Sequence, residues 1–284
     1  MVYVALQVLL CLPCYNHRQY ILDSIKSVIN QTYKAIELIV IDDGSKDGSF
    51  EEIKKIESEC RGRFKRFECY TRENKGLSAT LNEAIQWCQG KYVSLIASDD
   101  IMFPEKTFRQ VEYLENTPVI GVFSAVAIID ASGNAVTTRI SNKTSFSFED
   151  IILNKHDLPA CTQMLRLSTL KDVNGYDKSI KVEDWYLWLK LTKNGERLDY
   201  IPEVFCGYRV HDSNFSHNHL AMYNDMKKII QDYKFHFLYP LAEYKINRQI
   251  TKALFKINKS FSGYLWLRVS NWFRYYLLKL KIWK

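Results

Sequence analysis

Three short polar segments carry the side chains best suited to chemistry, and each follows an apolar run. They are Pro13 to Asn16 (PCYN), Asp42 to Ser45 (DDGS) and Ser98 to Asp100 (SDD). Adjacent carboxylates repel each other unless a cation, a hydrogen-bond donor or water compensates them. Mg²⁺ and Mn²⁺ suit such oxygen ligands and commonly bridge them to substrate phosphates. The segments therefore predict a ligand site that uses a divalent ion.

The elements that must position these segments alternate between strand and helix as far as residue 129. Apolar runs at 4–12, 37–41, 67–71 and 92–97 predict strands, and apolar residues at helical spacing separate them. We expect Pro13 to end the first strand, Gly90 to close the third helix in a left-handed conformation, and Pro104 to begin the fourth. This alternation predicts an α/β fold with parallel strands, in which ligands bind beyond the carboxyl ends of the strands.

The pattern changes after residue 129. A turn at 130–134 joins two β-rich runs, and Ser147 with Asp150 resembles a capping box. A helix is expected from Glu183 to before Gly195, a strand at 204–210 leads to His211, and the chain beyond about residue 218 reads as helical.

Composition excludes several classes of protein. The 284 residues are 47% hydrophobic and 25% charged, which predicts one large or two modest packed domains and excludes disorder and collagen. The net charge is +7, but residues 245–284 hold ten Lys or Arg and no Asp or Glu, so residues 1–244 carry 7 − 10 = −3. We therefore expect no nucleic-acid binding.

Targeting features and cysteines predict a cytoplasmic location. No run reaches the roughly 18 apolar residues that a membrane span requires, and the N-terminus lacks the basic segment of a signal peptide. The seven cysteines have no paired spacing, which favours reduced thiols over disulfides.

Taken together, the motifs resemble those of the family 2 glycosyltransferases, which have the GT-A fold. The resemblance extends over about residues 4–216, and seven motifs carry it in the right order. They are Leu12–Asn16 (LPCYN), Ile41–Ser45 (IDDGS), Asn74–Gly76 (NKG), Gly90–Val93 (GKYV) with Ser98–Asp100 (SDD), Gly175–Asp177 (GYD), Glu183–Trp185 (EDW) and Tyr208–His211 (YRVH).

The resemblance implies an inverting, metal-dependent glycosyltransferase. Such an enzyme moves a sugar from a nucleoside-diphosphate sugar, here UDP or dTDP, to a hydroxyl of a glycan or lipid-linked acceptor, as in bacterial O-antigen or capsule biosynthesis. The implied fold is α/β of GT-A type, with a mostly parallel central sheet flanked by helices and a helical C-terminal extension. Residues 1–217 would form the catalytic domain, with a nucleotide-sugar half (1–129) and an acceptor half (130–217), and 218–284 the basic extension.

The resemblance also assigns individual residues to the donor. Nucleotide-sugar binding is implied for Pro13, Tyr15, Asp42, Asp43 and Asp99. Tyr15 would pack on the base, and Asp43 would accept a hydrogen bond from N3–H of uracil or thymine. Asp42 would buttress the turn, and Asp99 would approach the ribose.

The metal and the base are assigned in the same way. Asp100 and His211 would hold Mn²⁺ or Mg²⁺ at the diphosphate, with Ser98 standing where relatives usually have the first Asp of the motif. Asp184 would be the catalytic base, because an acceptor hydroxyl must lose its proton as it attacks the anomeric carbon. Glu183 would hold the helix N-terminus or an acceptor group.

Other interpretations remain open from the sequence alone. A non-catalytic sugar-nucleotide-binding or scaffold protein of this fold would share the motifs, and a nucleotidyltransferase would share the acidic metal ligands but has a glycine-rich signature that is missing here. Cys11 and Cys14 have thioredoxin-like spacing, although the acidic segments would then have no purpose. His211 also fits a structural histidine.

The C-terminal segment 262–284 has an apolar stripe at helical spacing beside basic residues. The stripe comprises Leu265, Val269, Trp272, Phe273, Tyr276, Leu280 and Trp283. Aromatic and cationic residues in this pattern favour peripheral association with the inner face of an anionic membrane, and a helix docked on its own domain or on a partner is the alternative.

Overall fold

The computed structural model describes residues 8–211 and 218–258, together with Val269, Trp272 and Tyr276. The strands are β1 (Val8–Cys14), β2 (Ile36–Asp42), β3 (Arg66–Thr71), β4 (Tyr92–Leu95), β5 (Ile101–Met102), β6 (Gly121–Ile129), β7 (Ala135–Arg139), β8 (Ser145–Phe146), β9 (Met164–Arg166) and β10 (Leu198–Arg209). The helices are α1 (Ile21–Ile29), α2 (Ser49–Arg63), α3 (Leu77–Trp87), α4 (Lys106–Asn116), α5 (Phe148–Ile152), α6 (Leu167–Asp172), α7 (Glu183–Thr192), α8 (His219–Ile229) and α9 (Tyr239–Asn258).

One sheet runs through the described chain in the order β3-β2-β1-β4-β9-β6-β10-β5, with β7 beside β6 and β8 beside β10. The first four strands of this order are parallel, as the strand and helix alternation predicts. The short strand β9 then lies antiparallel between β4 and β6, while β10 runs parallel to β6. The α/β prediction is therefore confirmed, and antiparallel pairings of β5, β7, β8 and β9 extend the parallel part of the sheet.

Alternate residues of the central strands supply two hydrophobic layers. Leu9 and Cys11 of β1 face the layer that contains α3 and α7. Leu10 and Leu12 face the layer that contains α1 and α2. A strand buried on both faces needs such a continuous apolar run, which explains the composition of β1. All seven cysteines are free and buried, as predicted.

Several predicted boundaries are wrong. β4 ends at Leu95 instead of residue 97, and the strand expected at 204–210 is β10, which begins earlier, at Leu198, and ends at Arg209. β1 continues through Pro13 to Cys14, because Pro13 pairs only with β2, and β4 accompanies β1 only as far as Cys11, so the missing N–H is not needed there. Gly90 is not left-handed, because α3 ends at Trp87 and Cys88 leaves it in an extended conformation. α4 begins at Lys106, after a turn in which the Lys106 N–H donates to Phe103 O.

The other expected features of the second half are present. The turn at 130–134 joins the antiparallel strands β6 and β7. Ser147 and Asp150 form the capping box of α5, and α7 begins at Glu183 and ends before Gly195.

The described part of the C-terminal extension packs on the main core. Met226 and Ile229 of α8 and Ala242 and Ile246 of α9 belong to the same buried layer as Trp188 of α7. Of the segment 262–284, only Val269, Trp272 and Tyr276 fall within the described residues. Among the helices that the structure describes, none has the length and apolar character needed to cross a membrane.

Candidate active site

A cavity of about 610 Å³ lies at the carboxyl ends of β1, β2 and β4. The sequence-predicted residues that line it are Pro13, Tyr15, Asp43, Asp99 and His211. Asp42, Asp100 and Asp184 are not among its lining residues. Five residues spread over nearly 200 positions of sequence thus converge on one cavity, at the edge of the sheet where ligands bind in such folds.

The β1 loop presents an aromatic ring to this cavity. Tyr15 is 49% exposed, and the next residue, Asn16, has a left-handed backbone (φ 54°). The Asn16 N–H donates to Ser45 Oγ (2.8 Å), and Asn16 Oδ1 accepts from Lys46 N–H (2.8 Å). These bonds join the β1 loop to the β2 loop, so the exposed ring rests on a fixed backbone.

The two carboxylates at the end of β2, Asp42 and Asp43, have different surroundings. Asp42 is buried and accepts hydrogen bonds from Thr71 Oγ1 (2.5 Å) and from the N–H and hydroxyl of Ser45. Asp43 lines the cavity and accepts from Lys75 N–H (2.9 Å), Gly76 N–H (2.9 Å) and the Arg72 guanidinium. Asp42 therefore holds the turn, and Asp43 presents its carboxylate to the cavity.

Gly44 is required where these two loops meet. Its φ is +80°, and a Cβ at this position would lie 2.9 Å from the carbonyl oxygen of Arg72. A side chain at this position would strain the backbone. It would also push the β2 loop away from residues 72–76, the segment whose N–H groups donate to Asp43.

The acidic pair after β4 is arranged in the opposite order. Asp100 is 2% exposed, and its Oδ1 accepts from the Arg209 N–H (2.8 Å). Burial, and then the charge of Asp99, raise the pKa of Asp100 well above its usual range. Asp99 lines the cavity instead. The resemblance implies that Asp100 holds the metal, but of this pair only Asp99 lines the cavity.

Asp99 lies within a cluster of potential metal ligands. Its carboxylate and one ring nitrogen each of His17 and His211 lie within 4.8 Å of one another. His211 Nε2 donates to Asp99 Oδ2 (2.9 Å), and His17 Nδ1 is hydrogen-bonded to Ser98 Oγ (2.7 Å). Burial lowers the pKa of His17, so the neutral imidazole that binds metals is favoured. These donors fit Mn²⁺, whereas Mg²⁺ prefers oxygen ligands alone.

Arg209 holds the histidine side of this cluster in place. The side chain is 1% exposed, and its Nε donates to Asp99 O (2.7 Å). The guanidinium lies 4.9 Å from the centre of the Tyr20 ring, and Tyr20 stacks on His211 at 4.9 Å. One buried residue therefore fixes both the backbone of Asp99 and, through Tyr20, the ring of His211.

Glu183 and Asp184 stand at the start of α7, next to α3. Ser78 Oγ of α3 donates to Ile180 O (3.4 Å), so the segment leading to α7 packs on the helix whose first residue, Leu77, lines the cavity. Burial, and then the charge of Asp184, raise the pKa of Glu183 to about 8. Burial also raises the pKa of Asp184, whose Oδ1 accepts from Trp185 N–H (2.6 Å).

Sequence reasoning missed His17, Arg72 and Arg209. His17 had a usable signal, because it follows Tyr15 by two residues at the same sheet edge, and imidazole is a common metal ligand. Arg209 lies inside the quoted motif Tyr208–His211, but its contacts join residues more than 100 positions apart. No local pattern predicts such contacts.

Comparison with known proteins identifies the family to which this chain belongs. The model of the family described as "Glycosyl transferase family 2" matches residues 10–173, which is more than half of the chain. An uncharacterized glycosyltransferase of Methanocaldococcus jannaschii is 30% identical over 200 residues, or 69% of this chain and 68% of the relative. A putative teichuronic acid biosynthesis glycosyltransferase, TuaG of Bacillus subtilis, is 26% identical over 72% of this chain and 80% of its own length.

Solved structures share the fold at lower identity. TarS (residues 1–349) of S. aureus, solved with UDP-GlcNAc, has a TM-score of 0.65 and 16% identity over 92% of this chain and 79% of that one. A mannosyltransferase of Pyrobaculum calidifontis, solved with GDP-Man and Mn²⁺, has a TM-score of 0.63 and 14% identity over 94% of this chain and 80% of that one. The GT-A fold is therefore confirmed. The chain belongs to glycosyl transferase family 2, and its activity is that of a glycosyltransferase.

Proposed function

We propose that the protein is an inverting glycosyltransferase that binds a nucleoside-diphosphate sugar in the cavity at the ends of β1, β2 and β4. The observation that carries this proposal is the convergence of Tyr15, Asp43, Asp99 and His211 on one cavity. Its volume of about 610 Å³ falls within the range of ligand sites, about 300–1,000 Å³. TarS, a protein of the same fold, was solved with UDP-GlcNAc.

The base of the nucleotide is held by Tyr15 and Asp43 in this proposal. The exposed Tyr15 ring offers a face on which a base stacks, with Pro13 beside it. The Asp43 carboxylate is fixed by the loop that ends at Gly76 and retains acceptor capacity for an N3–H donor. This pairing favours uracil or thymine, and hence a UDP or dTDP sugar.

The divalent ion is assigned to Asp99, His211 and His17. This differs from the sequence-based assignment to Asp100, because Asp100 is buried against Arg209 and Asp99 faces the cavity. The two imidazoles favour Mn²⁺ over Mg²⁺. The ion, when bound, supplies Lewis-acid stabilisation of the departing diphosphate. A mannosyltransferase of the same fold was solved with Mn²⁺.

Asp184 accepts the proton of the acceptor hydroxyl in this proposal. Glu183, with a pKa of about 8, retains its proton at neutral pH, which spares Asp184 the repulsion of a second charge. In this proposal residues 130–217 bind the acceptor, and the transferred sugar lies between Asp184 and the diphosphate. Attack from the face opposite the leaving group inverts the anomeric carbon.

The acceptor is assigned to surface polysaccharide assembly, as a glycan or a lipid-linked saccharide. TuaG is named for teichuronic acid biosynthesis, which supports a polymer of this class. Segment 262–284 associates with the inner face of the membrane in this proposal. Its three described residues support a surface role, since Val269, Trp272 and Tyr276 are all more than half exposed and the two aromatic rings lie 5.4 Å apart.

A panel of sugar nucleotides, tested with Mn²⁺ and with Mg²⁺, examines the donor assignment. One UDP or dTDP sugar is expected to raise the Tm of the protein, and more strongly with Mn²⁺, because a ligand that binds only the folded state stabilises it. The same donor should release its diphosphate in the presence of acceptor. Donor binding without turnover across a panel of glycan and lipid-linked acceptors would favour the scaffold alternative.

A further inference from the structure

A second cavity lies far along the chain from the donor site, between the end of α5 and the helical hairpin formed by α8 and α9. Its volume is about 230 Å³. Ile152, Met226 and Ile246 give it an apolar floor, and three cationic side chains, Lys245, Arg248 and Lys252, line its α9 side. A cationic rim above an apolar floor is the arrangement that an amphiphilic anion would match.

The cations around this cavity are not neutralised by protein carboxylates. Lys245, Arg248, Lys252 and the nearby Lys155 form no ion pair with any Asp or Glu in the part of the chain that the structure describes. Nearby acids have other partners, since Asp150 pairs with Lys143 and Glu243 accepts from Tyr239. Burial, and then the charges of Lys155 and Arg248, lower the pKa of Lys245. Clustered like charges are unfavourable, and an anion would relieve them.

The size and the donors of the cavity select the kind of anion. At about 230 Å³ it is smaller than a site for a whole nucleotide sugar. Lys245 Nζ already donates to Leu153 O (3.0 Å), which holds the ammonium at the wall, and Arg248 offers a fork of donors beside it. Such a set suits the several oxygens of a phosphate group.

The same hairpin exposes large apolar side chains next to more positive charge. Phe235 is 92% exposed and Phe237 is 65% exposed in the turn between α8 and α9, and Lys234 precedes them. Exposed aromatic residues beside lysines are typical of surfaces that enter the headgroup region of an anionic bilayer. The ligand phosphate is therefore best supplied by a membrane lipid.

We propose that the cavity between α5 and the α8–α9 hairpin binds the phosphate of an anionic membrane lipid, with Phe235 and Phe237 inserted into the same leaflet. The proposal does not rest on glycosyl transfer, because binding to vesicles is measured without a nucleotide sugar.

The test uses the full-length protein and sedimentation with vesicles of phosphatidylcholine alone or mixed with phosphatidylglycerol. We expect binding only to the phosphatidylglycerol vesicles, with an affinity that falls as salt rises. Arg248→Gln/Lys252→Gln should bind about 30-fold more weakly, from two basic contacts of about 1 kcal/mol each. Both side chains are exposed, so folding is retained.

A matched control removes two positive charges elsewhere. Lys34→Gln/Lys65→Gln alters two exposed lysines near the β2 and β3 edge and should bind vesicles like the wild type. Equal binding by wild type and Arg248→Gln/Lys252→Gln would overturn the proposal, because attraction would then come from another segment. Binding of inorganic diphosphate at this cavity, with no vesicle binding, would overturn the lipid as its source.

A second pair of variants tests the aromatic turn. Phe235→Ala/Phe237→Ala should weaken binding to phosphatidylglycerol vesicles at least tenfold, because the variant lacks the two rings that transfer from water into the leaflet. Phe108→Ala, at a 44% exposed position on α4, should leave binding unchanged. Unchanged binding by the double variant would contradict insertion of this turn.

Discussion

The acidic pairs at the ends of β2 and β4 look alike in the sequence. In the first pair the second carboxylate lines the cavity, whereas in the second pair the first carboxylate does. After β2 the first carboxylate, Asp42, is buried in turn hydrogen bonds and the second, Asp43, faces the cavity. After β4 the first, Asp99, faces the cavity and the second, Asp100, is buried against the Arg209 N–H. Each loop thus has one carboxylate buried in protein contacts and one that lines the cavity, and only the surrounding contacts decide which is which.

Glu183 and Asp184 form a third acidic pair, of which Asp184 is the proposed base. Asp184→Asn should lower the rate of sugar transfer about 10³-fold, because an amide cannot accept the acceptor proton. Donor affinity, measured by calorimetry, should stay within about twofold. Asp172→Asn, at an exposed position in the same half, is the control and should keep wild-type rates. Full transfer activity in Asp184→Asn would show that Asp184 is not the catalytic base.

Replacing each carboxylate of the β4 pair by an amide tests which of the two binds the metal ion. Asp99→Asn should weaken Mn²⁺ affinity at least about tenfold, because one anionic ligand is lost. Asp100→Asn should keep that affinity within about twofold, since the raised pKa of Asp100 already favours a neutral group and an amide oxygen still accepts from Arg209 N–H. Titration of Mn²⁺ followed by EPR measures both. Loss of the ion in Asp100→Asn but not in Asp99→Asn would reverse the assignment.

The sequence was enough to predict the fold of the first half and the sheet edge at which its polar loops meet. Apolar runs such as Val8–Leu12 are buried on both sides, so periodicity alone identifies them, and parallel topology then brings their loops to one edge. The order within an acidic pair could not be predicted. β2 continues to Asp42, whereas β4 stops at Leu95 and a turn follows, so strand alternation does not extend to Asp99 and Asp100.

The residues missed by sequence reasoning share one physical feature. The contacts of Arg209 and His17 with the β4 loop span 110 and 81 positions respectively, so neither depends on local spacing. Only the assembled sheet brings these partners together. The end of α3 was predicted wrongly for a local reason, because Cys88 leaves the helix in an extended conformation two residues before Gly90.

The structural member of the β2 pair should affect stability more than chemistry. Asp42→Asn leaves a buried partner, either Thr71 or Ser45, without its acceptor, at a cost of about 1–3 kcal/mol. We expect the Tm to fall by about 5 °C while the KM for the donor changes little. Scanning calorimetry and initial rates measure the two quantities. A large rise in KM at unchanged Tm would mean that Asp42 contacts the ligand.

The smallest effect concerns the pH dependence of stability. The folded state retains a proton on Glu183 up to about pH 8, whereas the unfolded state loses it near its ordinary pKa of 4.5. Stability of the wild type therefore falls as pH rises through this window. Glu183→Gln cannot ionise, so its Tm should gain a few degrees on the wild type between about pH 5 and about pH 8. A constant difference between the two Tm curves would contradict the raised pKa.

His17, Asp99 and His211, which line the donor cavity, bind one ion in the proposed mechanism. Pulsed EPR of Mn²⁺ bound to the full-length protein identifies these ligands, because nitrogen couplings report imidazole ligands. We predict couplings from two histidines, one lost in His17→Asn and the other in His211→Asn, while His219→Asn, at an exposed position on α8, retains both. A bound ion with oxygen ligands only, in protein that retains its fold and UDP affinity, would contradict it.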